Sequence, residues 1–124
     1  MVESFWAVPD VADMRTPLGI LREQAAALTK ATNGVLVGAV ETERRGDHLI
    51  LKLEIVAPAL NDYRYRILNY QQPIGLYPGK FYGYGTDPTE VSDEANFVSA
   101  IKHILASEAI KKVLKSLLAQ TRDP

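Results

Sequence analysis

The sequence predicts an α+β domain in two layers, a four-stranded antiparallel meander with helices packed on one face, in the order α-β-β-β-β-α-α. Three observations lead there. Apolar residues recur every three or four positions in residues 16–33 and again in 92–120. Between those stretches the period falls to two, interrupted at glycine, proline and asparagine. A single layer of helices on one sheet face is the simplest way to bury both helical stripes.

The 124 residues suit one domain with one core. Residues 1–15 carry Pro9, Asp10 and Asp13 and are expected to form an irregular arm, its Phe5 and Trp6 docking on the domain or on a partner. The domain spans 16–120, and residues 121–124 are expected to fray. Thr16-Pro17 opens the first helix, a capping hydroxyl followed by a proline whose missing N–H does no harm there. Leu18, Leu21, Ala25, Leu28 and Thr32 form its buried stripe, and Asn33-Gly34 supplies a left-handed stop.

Residues 35–44 and 47–57 read as two strands joined by a tight hairpin at Arg45-Gly46. With Arg44 facing Asp47, Val40 faces Leu51, Gly38 faces Leu53 and Leu36 faces Ile55. The apolar residues then share one face, and a slip of one residue would expose them. After a loop at 58–62, residues 63–71 form a third strand. Setting Ala57 opposite Tyr63 places Ile55 opposite Tyr65, Leu53 opposite Ile67, and Glu54 opposite Arg66 on the outer face. Residues 76–84 contain Pro78, Gly79 and Gly83 and fit an irregular edge strand. Residues 86–89 read as a linker or a first helical turn. Ser92 caps the next helix, with the acids Asp93 and Glu94 at its positive end and Phe97, Ile101, Ile104 and Leu105 buried. Ser107 caps the last, with Ile110, Val113, Leu114, Leu117 and Leu118 inward.

Composition removes several function classes. A net charge of −1 gives no electrostatic case for non-specific binding to nucleic acid or membrane, so neither is an expected partner. The absence of cysteine excludes disulfides, thiolate nucleophiles and cysteine-based zinc sites. No apolar stretch approaches the roughly 18 residues of a membrane span, and no basic segment leads into an apolar run near Met1, so a cytoplasmic setting is expected.

Catalytic candidates are few. His48 would face Glu43 across the hairpin as a His–carboxylate pair, more simply an exposed ion pair beside a turn. His103, near Ser99 and Ser107 at helical spacing, reads as part of a solvated face. Glu41 and Glu43 share a strand face close to Arg44 and Arg45, which favours solvation over acid–base work. Gly75, Gly79, Gly83 and Gly85 match no phosphate-cradling pattern. No cofactor or metal is expected.

The outer sheet face carries the functional expectation. In the register above it presents Val35, Val37, Ile50, Val56, Leu68 and Tyr70 among Arg64 and Arg66, an apolar centre patched with charge. The edge from 77 to 84 adds Tyr77, Tyr82 and Tyr84. These residues predict a non-enzymatic interaction module that binds another protein or itself through the outer face, a homodimer included. The arm covering that face within the same chain is the plainer alternative. A second functional reading is a small-molecule or weakly catalytic domain using the aromatic edge. A third is single-stranded nucleic-acid binding by Arg64, Arg66 and the tyrosines, although strand alternation sends Tyr63 and Tyr65 inward.

Overall fold

Helical segments at the two ends of the chain and strand segments between them separate into two layers. The computed structural model describes residues 3–83 and 88–122. Helix α1 (Pro17–Ala31) starts where expected, with the Thr16 hydroxyl accepting the Gly19 N–H at 3.0 Å. It stops at Thr32, where Asn33 and Gly34 turn left-handed at φ 52° and 80°. The Thr32 hydroxyl then donates to the Leu36 carbonyl at 2.9 Å and accepts the Leu36 N–H, which aims the chain into the sheet.

Five strands follow: β1 (Val37–Arg45), β2 (His48–Ala57), β3 (Tyr63–Gln72), β4 (Gly79–Gly83) and β5 (Thr89–Val91). They pair antiparallel in sequence order, so β1 and β5 are the edges. The fifth strand is unexpected: it begins at Thr89, the last residue that reads as linker or first helical turn, and three residues holding one valine show no period. Val91 nevertheless seats fully in the core, and pairing with β4 puts it there. Helices α2 (Glu94–Leu105) and α3 (Glu108–Arg122) complete the chain. The Ser107 hydroxyl accepts the Ile110 N–H at 3.3 Å at the expected cap, whereas α2 is capped one residue later than expected: the Asp93 carboxylate accepts the Asn96 N–H at 2.9 Å, and the Ser92 hydroxyl bonds to the Asn96 side chain instead. Helix α3 continues through Arg122, past the expected end at residue 120.

The first hairpin keeps its faces but not its register. Arg45 pairs with His48 around a two-residue Gly46-Asp47 turn, so Val40 faces Leu53 and Gly38 faces Ile55. Each partner lies two residues from the expected one. Closing on Arg45-Gly46 as a type I′ turn would force Arg45 to positive φ; with glycine first, only Gly46 takes it, at 62°. A shift of two preserves the inward set because side chains alternate with period two.

The second seam differs. Ala57–Tyr63, Ile55–Tyr65 and Glu54–Arg66 pair as expected, then the register slips by one, and Leu53 faces Leu68 instead of Ile67. Ile67 is the extra residue of a β-bulge. Ile67, Leu68 and Tyr70 all enter the core. The expectation that Leu68 and Tyr70 lie on the outer face is therefore wrong. Uninterrupted alternation would have set Asn69 against Leu51 inside the core. The bulge sets Tyr70 there and turns Asn69 outward beside Tyr82. Burying a leucine and an aromatic ring in place of an amide favours this by a few kcal/mol, at about 1.5–3 kcal/mol per large apolar side chain.

The core closes around Tyr70, Phe81 and Phe97, with ring centroids 4.7–5.0 Å apart. Helix α1 lies so close to β1 that a Cβ on Gly38 would strike the Ala25 backbone.

Candidate interaction surface

The outer face of the sheet presents Val37, Glu41 and Glu43 from β1, Ile50, Lys52, Glu54 and Val56 from β2, and Arg64 and Arg66 from β3. Its charges form two clusters. Arg64 Nη1 lies 3.1 Å from Glu41 and 3.3 Å from Glu54. Lys52 Nζ lies 2.9 Å from Glu43, and Arg45 lies 3.4 Å from the same carboxylate. The Lys52 ammonium, with help from Arg45, holds the Glu43 carboxyl below its ordinary range. Glu54 thus faces Arg66 in the ladder but bonds to its diagonal neighbour Arg64.

The ladder sets these side chains beside the apolar residues of the same face, Glu43 opposite Ile50 and Arg64 opposite Val56. Ile50 is 6% and Val56 8% exposed although no helix crosses this side, as long charged side chains cover apolar surface with their stems. Val37 is half-buried, and Val35 stands exposed just before β1. The apolar face predicted from sequence is smaller than expected, both because Leu68 and Tyr70 turn inward and because ion pairs roof Ile50 and Val56. Arg66 remains half-buried, and its Nε has no hydrogen-bond partner among the described residues.

The aromatic edge also divides. Tyr77 packs edge-on against Phe97 at 6.2 Å, and Phe81 is buried. Tyr82 projects outward and is exposed. Tyr84 lies outside the described residues. Burial pushes the Tyr70 phenol up to about 12, with Tyr77 adding to the shift. The Tyr77 phenol rises too, through burial and then the carboxylates of Glu94 and Asp93. His48 faces Arg45, not Glu43, so the shifted hairpin removes the predicted His–carboxylate pair. His103 lies exposed near the end of α2.

Two features emerge that sequence reasoning did not single out. The first is the degree to which the arm stands free. Phe5, Trp6, Val8, Val11 and Met14 are 93, 86, 85, 58 and 58% exposed. A salt bridge from Arg15 to Glu23 at 2.9 Å ties down only the root. The arm does not cover the outer face. The second is the open edge of β1. Gly38 donates its N–H sideways to the Thr29 hydroxyl at 3.0 Å, so even-numbered residues of β1 point their backbone groups away from β2. Those of Val40, Thr42 and Arg44 meet no backbone partner among the described residues. A meander order already places its first strand at an edge, and that was the available signal.

On the helical side, an apolar cavity of about 240 Å³ lies between Ala25 and Leu28 of α1, the floor of Leu53, Ile55 and Ile67, and Leu105, Ile110 and Leu114. Among the described residues no helix is long and apolar enough to cross a membrane. Comparison with known proteins returned no match, whether to a family model, a curated protein or a solved structure.

Proposed function

We propose that this chain is a non-enzymatic interaction domain, with arm residues 3–15 and the open side of the sheet as its docking elements. The observation that carries this reading is the arm itself. Five large apolar side chains stand 58–93% exposed on a segment without helix or strand, beside a sheet whose β1 edge is unpaired among the described residues. Isolated apolar residues on a surface are ordinary, whereas a run of them is the mark of a contact waiting for its other half. Val37, Arg66 and Tyr82 supply the contact-ready part of the outer face. A cytoplasmic setting fits the cysteine-free sequence.

Photo-crosslinking in cells tests the reading. A photoreactive phenylalanine analogue at Phe5 or Val8 is expected to give adducts of discrete mass. Absence of any adduct at both positions sinks it.

The apolar cavity favours a second reading, a site for a small aliphatic ligand. Its 240 Å³ is close to the lower limit of ordinary ligand pockets, about 300 Å³. Its lining contains no tyrosine, so the aromatic edge takes no part. A ligand that binds only the folded chain raises Tm, and a flat response across a series of straight-chain alcohols and acids rejects this reading.

A further inference from the structure

We infer that two copies of this chain exchange arms, residues 4–8 of each adding as an extra strand to the open β1 edge of the other. This deepens the docking reading above by naming the partner as a second copy.

The receiving edge is defined by hydrogen bonding. The outward groups of Gly38 are satisfied in part by Thr29, which leaves the stretch from Val40 to Arg44 open. Such an edge templates a further strand. The donor matches it in length: residues 4–8 and 40–44 are both five-residue stretches, about 17 Å when extended. In a strand, Phe5 and Ala7 point to one face and Trp6 and Val8 to the other. Pro9 has no N–H to give and ends the pairing. Laid antiparallel, the arm brings Glu3 beside Arg44 and Arg45 and Val8 beside Val40, so charge and apolar character agree at both ends.

Area argues for a second copy. In the single chain the arm leaves its own edge uncovered, with Phe5 93% and Trp6 86% exposed. Each aromatic side chain can bury about 150–250 Å², so the four in a reciprocal pair bury about 600–1,000 Å². With a similar area on the receiving surfaces the total reaches about 1,200–2,000 Å², the size of a stable specific interface. Reciprocal exchange also closes on itself as a two-fold dimer, because each copy has one arm and both are used.

Trp6 is the chain's one tryptophan, which makes the test direct. Sedimentation and Trp6 emission are followed together from low to high micromolar concentration. The expected result is a dimer whose emission lies at short wavelength and moves to long wavelength on dilution, in step with dissociation. Phe5→Asp, and separately Thr42→Pro, should each weaken the dimer at least about tenfold while the thermal melt of the monomer persists. Proline at Thr42 removes an outward N–H and leaves the ladder to β2 intact. A monomer at every concentration with water-like emission overturns the exchange. So does short-wavelength emission from a monomer, which would mean the arm folds onto its own edge. A dimer indifferent to both variants also overturns it. Crosslinks from Phe5 to a chain of another mass, together with a monomeric purified protein, would end this inference and leave the docking reading standing. No adduct at all would end both.

Discussion

The two long seams of the sheet depart from simple alternation in different ways, and only one departure changes what faces water. At β1–β2 the pairing moves by two residues, and every side chain stays on its predicted face. At β2–β3 it moves by one, at Ile67, and the strand beyond exchanges its faces. An even shift is invisible to a period of two, whereas an odd shift inverts it. The first error left the predicted core intact. The second moved Leu68 and Tyr70 from a supposed docking surface into the core, and with them much of the apolar character that made the outer face look like an interface.

A lysine on each side of this contrast has the largest expected effect. Leu68→Lys buries an unpaired ammonium at a site 1% exposed and should leave the chain unfolded at 25 °C by circular dichroism. Val37→Lys, on the outer face before the bulge, should lower the unfolding free energy measured in urea by under about 1 kcal/mol. Equal effects would mean the bulge is misplaced.

Two glycines, Gly38 on β1 and Gly79 on β4, probe by overpacking the inward face that these seams set. Gly38→Ala drives a Cβ into the Ala25 backbone, and Gly79→Ala drives one into the Tyr70 phenol that the bulge brings inward. Each should cost about 3 kcal/mol in denaturant unfolding, the upper end for overpacking, since neither obstacle is the free tip of a flexible chain. A neutral Gly79→Ala would place Tyr70 outside after all.

Alkaline titration sharpens the placement of Tyr70 further. Its phenol is raised from 10.0 to about 12 in the folded chain, so the unfolded chain loses its proton first. The resulting stability is complete below about pH 10 and is lost as pH rises towards about 12, amounting to roughly 2 kcal/mol. Unfolding free energy measured from pH 8 to 12 should fall in that window, and Tyr70→Phe should flatten the fall. A tyrosine on the outer face would show no such loss.

The smallest effects belong to the ion pairs before the bulge. Arg64→Ala leaves the buried Glu54 carboxylate without its partner and should cost about 1 kcal/mol, because Arg64 itself is half-exposed. Glu41→Ala removes the outer half of the same cluster and should change stability by less than about 0.5 kcal/mol. A double-mutant cycle between Arg64 and each carboxylate separates the two.

Much of this was legible in the residues. Thr16 and Ser107 announced their helices by their capping oxygens, Ser92-Asp93-Glu94 announced a third although the cap fell to Asp93, and Asn33-Gly34 announced a stop. The bulge was also partly legible, since simple alternation asks for Asn69 in the core against Leu51. Glu54 beside Arg66 fitted well enough to hide that cost. The fifth strand was not legible, because Val91 belongs to a sheet only once β4 lies beside it. Nor was the roof over Ile50 and Val56, which depends on where Arg64 and Lys52 reach once three strands are in register. The candidate site moved for the same reason: the freest apolar surface is the arm, and sequence alone could not say that Phe5 and Trp6 would find no seat on their own domain.

By itself the sequence determined an antiparallel meander between helices and the inward face of β1 and β2, because turn residues and alternation act over a few neighbours. Only the tertiary structure decided the inversion at Ile67, the closure of the outer face by paired charges, and the free edge of β1. Each depends on groups far apart in the chain competing for one volume, one ion partner or one backbone donor, and local propensity carries no record of that competition.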